Sequence, residues 1–342
     1  MPVSTAYGVG MPVPPLGDLL ASVRVVAVPM RVPFRGVTTR EVGLIEGPAG
    51  WGEFGPFLEY GAREASRWLA AAVESAWQPW PEPVRDHVPV NATVPAVTPD
   101  RVAGVLARFP GCTTAKVKVA EPGQSLDDDL ARVAEVRAVL GPEGRVRVDA
   151  NGAWSVDDAT HALGRLARHD LEYAEQPCRT VEELRDLRIS LARSMIDVDV
   201  AADESIRKAE DPLRVRDLEA ADVVVVKVAP LGGVRAALDV VAACGLPAVV
   251  SSALETSVGI SAGVALAAAL PSLDYACGLG TVALLAGDVA APSLLPSSGS
   301  LTVGRVAPAP ELVDRWEPDG DRVTWWRARV AACWDHLEEG ER

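Results

Sequence analysis

Eight short segments rich in β-branched residues, separated by helix-like stretches, constrain the fold of this chain more than any other feature. The predicted strands are VPVNATV (88–94), TAKVKV (114–119), RVRVDA (145–150), LEYAEQ (171–176), DVDVAADE (197–204), DVVVVKV (222–228), PAVVSS (247–252) and DYACG (274–278). Alternation of strands and helices favours parallel pairing through right-handed crossovers, and eight such units are typical of an α/β barrel of the TIM type. A doubly wound sheet is the alternative, but no GxGxxG follows the first strand, so a dinucleotide site has little support.

A smaller region precedes these repeats. Residues 22–51 alternate in polarity, with glycine and proline between the runs, which predicts a small antiparallel sheet. Residues 63–77 (REASRWLAAAVESAW) have the apolar spacing of a helix, and PWPEPV (79–84) reads as a linker. Residues 1–20 are rich in proline and glycine, and the sequence leaves open whether they are ordered.

Composition narrows the range of partners. The formal charge of −14 argues against nucleic acid and anionic membrane surfaces, which are bound through basic stripes. Five cysteines without a CxxC pair indicate a reducing cytoplasm, and we see no signal peptide. The apolar run at 258–270 is shorter than the ~20 residues of a membrane helix. We therefore expect a cytoplasmic protein; the pattern leaves its oligomeric state open and is compatible with a monomer.

Polar residues recur near the end of successive predicted strands. Six of them lie 24 to 31 residues apart along the chain, namely Lys118, Asp149, Glu175, Asp203, Lys227 and Ser252. Charges in strands covered on both faces are unfavourable unless paired or bound to metal, and the carboxyl ends of barrel strands form the active-site face. We predict that the three carboxylates converge on one point, where hard oxygen ligands suit Mg²⁺ or Mn²⁺. No histidine lies at a predicted strand end, which disfavours zinc.

The lysines are distributed unusually. The chain has four lysines against 29 arginines, and only Lys208 reads as an ordinary surface residue. Spacing by two places Lys116 and Lys118 on the same side of their strand, with Lys227 across the barrel. Neighbouring ammonium groups lower the pKa of one another, and a lysine, unlike an arginine, can then act as a base. A lone strand-end Asp is more often a helix cap and a lone strand Lys usually snorkels, but their joint phase favours a catalytic centre.

The motifs TAKVKV, VDANGAW, EQP, DES and KVAPLGG, in this order and spacing, resemble the enolase superfamily and its muconate-lactonising subgroup. Within it, SSALETSVG and GLGT resemble the o-succinylbenzoate synthase family of menaquinone biosynthesis, and GWGEFGP resembles the capping domain. The resemblance implies a modified (β/α)7β barrel over residues 87–284. It also implies an α+β capping domain formed by residues 1–86 and the returning segment 285–342.

The resemblance further implies a reaction, the syn dehydration of 2-succinyl-6-hydroxy-2,4-cyclohexadiene-1-carboxylate to 2-succinylbenzoate. Mg²⁺, which Mn²⁺ can replace, would bind the substrate carboxylate and be held by Asp149, Glu175 and Asp203. Lys118 would remove the α proton and then assist the loss of hydroxide. Lys227 would stabilise the cyclohexadienyl intermediate through a cation–π contact.

The resemblance implies supporting roles for the remaining site residues. Lys116 would tune Lys118 and touch the substrate carboxylate. Ser251 and Ser252 would lie near the succinyl tail of the substrate, with Asn151 and Arg147 as supporting residues.

Other activities remain open. N-succinylamino acid racemases need a base on each face, which Lys118 and Lys227 would supply. Dipeptide epimerases carry an Asp-x-Asp on the eighth strand where this chain has DYACGLG, and the mandelate racemase branch uses a histidine where it has serines. Cycloisomerases, a Schiff-base aldolase using Lys227 and a barrel without catalytic function complete the alternatives.

Overall fold

The computed structural model describes residues 14–34, 36–207 and 212–341 of the chain, so Lys208 and residues 1–13 lie outside the described ranges. The strands are β1 Val23–Phe34, β2 Val37–Gly47, β3 Gly50–Phe54, β4 His87–Pro89, β5 Ala92–Val94, β6 Thr114–Lys118, β7 Arg145–Asp149, β8 Leu171–Glu175, β9 Val200–Ala202, β10 Val223–Val226, β11 Ala248–Val250 and β12 Ser300–Thr302. The helices are α1 Leu16–Ser22, α2 Ala62–Trp77, α3 Pro99–Leu106, α4 Leu126–Leu140, α5 Val156–Leu166, α6 Val181–Arg193, α7 Glu204–Arg207, α8 Arg214–Asp217, α9 Val228–Leu231, α10 Val234–Cys244, α11 Ser257–Ala269, α12 Pro310–Trp316 and α13 Gly320–Glu341.

The N-terminal region forms the predicted antiparallel sheet, in the order β1-β2-β3. Helix α2 covers it closely, because glycines of β2 and β3 face the helix backbone. A Cβ atom at Gly52 would lie 2.0 Å from the carbonyl oxygen of Ala72, and one at Gly47 would lie 2.4 Å from that of Ala76. Only glycine fits at these two positions, so the helix packs directly on the sheet. The predicted sheet and helix are both confirmed.

The predicted repeats form a curled parallel sheet of seven strands in the order β11-β10-β9-β8-β7-β6-β5. The predicted strand at 88–94 splits in two: β4 pairs with β12 in a separate antiparallel ribbon, and only β5 joins the parallel sheet. The eighth predicted strand, 274–278, is wrong as a strand, because it is reduced to isolated bridges at Cys277 and Gly278. Those bridges join the two sheet edges: the Cys277 amide donates to Pro89 O at 2.7 Å and the Gly278 amide to Val250 O at 2.8 Å.

The C-terminal helices return to the N-terminal sheet. Helix α12 packs on β1, where Arg24 pairs with Asp314 at 2.8 Å, and α13 packs on α2. The ring of Trp326, in α13, meets Phe54 of β3 edge to face at 5.8 Å between centroids. The two ends of the chain therefore share one hydrophobic core.

The apolar run at 258–270 is a buried core helix. Eleven of the 13 residues of α11 are buried. In the parts of the chain that the structure describes, no helix is both long and apolar enough to cross a membrane.

Candidate active site

The charged residues predicted at the strand ends lie together at the carboxyl end of the parallel sheet. Register aligns Lys118 of β6 with Asp149 of β7, and Asp149 with Glu175 of β8. Because neighbours in register point to the same face of a sheet, the three side chains project together. Each is at most 6% exposed. Lys116, two residues before Lys118, lies on the same face one layer deeper.

These groups neutralise one another through short ion pairs. The ammonium Nζ of Lys116 lies 2.6 Å from Glu175 Oε1 and 3.3 Å from Asp149 Oδ2. Lys118 Nζ donates to Asp149 Oδ2 at 2.5 Å. Each of these three lysine-to-carboxylate contacts is buried, where an unpaired charge would be strongly destabilising.

Lys227 and Asp203 form a second buried ion pair, farther along the parallel sheet. Lys227 follows β10, which three strands separate from β6, and its Nζ lies 2.5 Å from Asp203 Oδ2. Asp203 follows β9 and is held by Gln176, whose Oε1 accepts its backbone amide at 2.9 Å. The Gln176 side chain also donates to Ser205 Oγ at 2.8 Å. Sequence reasoning assigned Gln176 no role, although a buried amide beside Glu175 at a strand end was the available signal.

The site shifts proton affinities in opposite directions. Burial, the like charge of Asp149 and that of Asp203 raise the pKa of Glu175 to about 7, against the pull of Lys116. The pKa of Asp149 is held well below its usual range: burial opposes this, but Lys118 and Lys116 outweigh it. Burial lowers the pKa of Lys116, but Glu175 and Asp149 outweigh it and hold that pKa above its usual value. The carboxylate partners of Lys116 therefore favour its charged form.

The donor set suits a divalent cation. Asp149, Glu175 and Asp203 are each 1% exposed, supply hard oxygen atoms, and include one carboxyl that its like-charged neighbours destabilise as an anion. Their positions depart from the prediction of convergence: no three His, Cys, Asp or Glu groups among residues 14–34, 36–207 and 212–341 are placed to hold a metal ion together. The reason is that the carboxylates turn toward the lysine ammonium groups.

A cavity opens above these charges. From the sheet it is lined by Thr93, Lys116, Lys118, Asp149, Asn151, Asp203, Lys227, Ser251, Ser252, Ala253, Leu254, Gly278 and Thr281. Phe34 and Phe57, from the N-terminal region, complete the lining, and the Phe34 ring lies 5.2 Å from Lys118 Nζ. Apolar side chains with a few convergent charged groups are the usual lining of a small-molecule site.

The four residues predicted to contact the substrate or support the site fall into two groups. Ser251, Ser252 and Asn151 line the cavity. Asn151 Oδ1 accepts from Lys118 Nζ at 2.5 Å, and Ser252 Oγ lies 2.8 Å from Thr281 Oγ1. Arg147 does not line the cavity.

Arg147 lies in the interior of the sheet, on the level below Asp149. It is fully buried, pairs with Glu172, and its guanidinium carbon lies 4.7 Å from the centre of the Tyr173 ring. It also donates to the carbonyl oxygen of Ala276 at 2.6 Å, in the segment that joins the sheet edges. Its contacts are those of a residue that supports the sheet beneath the site.

A second buried charge cluster lies where the N-terminal sheet meets α11. Both oxygens of Glu53 accept from the Thr256 amide, and Glu53 Oε2 accepts from Thr256 Oγ1 at 2.6 Å. Burial and the nearby carboxyl of Glu255 raise the pKa of Glu53 to about 8, although the Thr256 hydroxyl and Arg40 oppose the shift. Glu53 is thus a carboxyl that holds its proton longer in the folded chain than in the unfolded one.

We expect the free energy of unfolding to fall as pH rises from about 5 to 8, and to fall less steeply in Glu53→Gln. The folded state keeps the Glu53 proton up to about pH 8, whereas the unfolded chain loses it near 4.5, so stability is present at low pH and lost above. One such group contributes a slope of at most about 1.4 kcal/mol per pH unit. Urea unfolding at several pH values measures it. Glu46→Gln, the same change at an exposed position of β2, should keep the wild-type slope, and equal slopes in all three proteins would contradict the prediction.

The fold and the site together define an α/β protein that presents buried lysines and carboxylates at the carboxyl ends of parallel strands. Residues 101–308 match the family model described as enolase C-terminal domain-like, and residues 25–76 match the enolase N-terminal domain-like model. The chain is 58% identical over 318 residues to an o-succinylbenzoate synthase of Thermobifida fusca, covering 92% of this chain and 98% of that one. It is 56% identical over 325 residues to an o-succinylbenzoate synthase of Mycobacterium tuberculosis, covering 95% and 97%. The chain belongs to the enolase superfamily, as its motifs predicted.

Solved structures agree on the fold. Muconate lactonizing enzyme from Pseudomonas putida superposes with a TM-score of 0.70 at 20% identity, covering 86% of this chain and 98% of that one. N-succinyl Arg/Lys racemase from Bacillus cereus gives a TM-score of 0.71 at 18% identity, covering 87% and 97%. At these identities the likeness establishes the shared fold.

Proposed function

We propose that this protein is an o-succinylbenzoate synthase, which dehydrates 2-succinyl-6-hydroxy-2,4-cyclohexadiene-1-carboxylate to 2-succinylbenzoate in menaquinone biosynthesis. The observation that carries this function is the placement of Lys118 and Lys227 on opposite sides of one cavity, beside three buried carboxylates. The near full-length relatives at 56–58% identity support this choice of substrate.

In the proposed mechanism Lys118 carries the proton. Once deprotonated, its Nζ accepts the proton α to the substrate carboxylate, and the electron pair of that C–H bond moves into the ring system. The resulting ammonium then gives its proton to the departing hydroxyl group, so that a C–O bond breaks and water leaves as the ring becomes aromatic. Asn151 and Asp149, which both accept from Lys118 Nζ, orient the side chain for both transfers.

Asp149, Glu175 and Asp203 would hold the divalent ion, Mg²⁺ or Mn²⁺. When bound, the ion supplies positive charge beside the substrate carboxylate, which stabilises the negative charge that develops there. Two of the carboxylates end adjoining strands and the third is held by Gln176. To hold the ion, their side chains would turn away from the lysines with which they pair.

The other lining residues would act on the rest of the substrate. Lys227 would place its ammonium against the ring of the intermediate, and Lys116 would set the field around Lys118 and touch the substrate carboxylate. Ser251 and Ser252, after β11, would contact the succinyl tail, and Arg147 would support the sheet from below.

We further propose a division of the chain into domains. Residues 87–284 would form a (β/α)7β barrel, and residues 1–86 with 285–342 would form the capping domain that supplies Phe34 and Phe57. The substrate would be a small carboxylate. We place the enzyme in the cytoplasm, where its five free cysteines stay reduced.

The assay that tests this function compares two reactions of the purified protein with Mg²⁺. We expect rapid conversion of the cyclohexadiene carboxylate to 2-succinylbenzoate, and slower racemisation of an N-succinylamino acid. N-succinylamino acid racemase is the second candidate, because Lys118 and Lys227 could exchange protons on both faces of one carbon. Faster racemisation than dehydration would replace the first assignment with the second.

Gly278→Ala should weaken substrate binding. A Cβ atom at Gly278 would lie 2.5 Å from Ser251 Oγ, so Ser251 must move from its place in the cavity wall. We expect KM to rise about tenfold, since small misplacements at a site have large effects. Steady-state kinetics measure it.

Gly104→Ala is the matched control, because a Cβ atom at that position of α3 has no neighbour within 4 Å. It should leave KM unchanged and stabilise the helix by up to about 1 kcal/mol. An unchanged KM in Gly278→Ala would show that Ser251 does not contact the substrate.

A further inference from the structure

Arg40, in β2 of the N-terminal sheet, reaches across to the loop that follows β11. Its side chain is 3% exposed, and its Nε donates to the carbonyl oxygen of Leu254 at 3.1 Å. The same guanidinium donates through Nη2 to the carbonyl oxygen of Gly55. One buried side chain therefore joins two segments that are distant in sequence.

The loop after β11, which the Arg40 guanidinium contacts at Leu254, has a strained backbone. Leu254 has a φ of +65°, a left-handed conformation that is strained for a bulky residue. Its neighbour Ala253 donates its amide to Glu255 Oε2 at 2.6 Å, and both Ala253 and Leu254 line the cavity. The cavity wall is therefore a conformation that the chain does not favour on its own.

The segment on the capping side depends on the same guanidinium. The carbon Cζ of Arg40 lies 4.9 Å from the centre of the Phe57 ring, which lines the cavity. A Cβ atom at Gly55 would lie 2.7 Å from Arg40 Nη2, so the glycine makes room for the contact. Two buried acidic side chains, Glu53 and Glu255, lie near the guanidinium of Arg40.

We propose that Arg40 is a positioning residue that sets the distance between the Phe57 wall and the Ala253–Leu254 wall of the cavity. It touches no reacting atom and acts through the two segments that it joins. This inference rests on the proposed function for the substrate it names. The placement of the two walls is a property of the chain that can be measured without turnover.

The test replaces Arg40 in the full-length protein and measures both properties. In Arg40→Met we expect KM for the cyclohexadiene carboxylate to rise at least about tenfold while kcat changes less than about threefold. Amide hydrogen exchange, followed by mass spectrometry, should speed up at least about threefold in segments 55–60 and 251–256. Arg40→Lys keeps the charge but loses the fork that serves two carbonyl groups, so it should show the same changes and decides the question if the methionine variant does not fold.

Arg137→Lys is the matched control. Arg137 also joins backbone carbonyls, those of Gly144 and His169, but these precede β7 and β8 at the end of the sheet away from the cavity. It should change neither KM nor exchange in the two segments. Wild-type KM and wild-type exchange in a folded Arg40 variant would overturn the proposal, as would equal effects in Arg137→Lys. If wild-type protein does not dehydrate the substrate, the proposed function fails and the exchange measurement alone decides the role of Arg40.

Discussion

Lys118→Ala should reduce the rate of dehydration by about a thousandfold or more, because the variant lacks the group that takes the α proton. The side chain is 6% exposed and lies in the cavity, so water has poor access to replace it as a base. The measurement is kcat for formation of 2-succinylbenzoate, with circular dichroism to establish that the variant is folded. Exchange of the substrate α hydrogen with deuterated solvent should also disappear, since it depends on the same proton transfer.

Lys118→Arg separates proton transfer from charge. Arginine keeps the positive charge beside Asp149 but is not deprotonated in proteins, so it should be as inactive as the alanine variant. Lys227→Ala should retain exchange of the α hydrogen, because Lys118 remains. Substantial activity in either Lys118 variant would contradict the proposed mechanism.

Removal of the divalent ion should have an effect of similar size. Treatment with EDTA should lower kcat by about a thousandfold or more, and added Mg²⁺ or Mn²⁺ should restore it, because charge stabilisation at the substrate carboxylate is a dominant part of such catalysis. Glu175→Gln should weaken Mg²⁺ binding at least about a hundredfold, since a neutral amide replaces one of three buried carboxylates. Calorimetric titration with Mg²⁺ measures the affinity directly.

Glu172→Gln provides the matched control on the same strand. Glu172 pairs with Arg147 below the site, and it does not line the cavity. The same change of charge at that position should leave Mg²⁺ affinity within about threefold of wild type, since Glu172 is not among the carboxylates that would hold the ion. Full activity in EDTA would contradict metal dependence, and equal affinities in the two variants would remove Glu175 from the ligand set.

The repeat of strands and helices was readable from the sequence because β-branched runs and helical spacing are local properties. The repeat predicted the seven strands of the parallel sheet. Alternating polarity and apolar spacing predicted the antiparallel N-terminal sheet and helix α2. It failed at 274–278, where DYACG has the residues of a strand but pairs only through Cys277 and Gly278. Pairing depends on where both sheet edges meet, which no local pattern contains.

That charged strand-end residues lie at one cavity was also readable, because charges inside buried strands are rare and their phase was regular. Lys116, Lys118, Asp149, Asp203 and Lys227 all line one cavity. Their electrostatics were not readable: the raised pKa of Lys116 follows from its distances to Glu175 and Asp149, which are set by strand register. The position of Arg147 was not readable either. It lies two residues before Asp149 in β7, and only the structure shows that its side chain packs on Tyr173 below the site.

The sequence by itself determined the strand ends, the side on which their charges lie, and the superfamily, since period-two spacing and motif order are written along the chain. Only the tertiary structure decided which lysine faces which carboxylate, and that Phe34, Phe57 and Arg40 reach the site from another part of the chain. The physical reason is that local spacing fixes direction within an element. Distances between elements depend on packing across the whole core. An example is the close approach of α2 to its sheet, which the glycines of β2 and β3 permit.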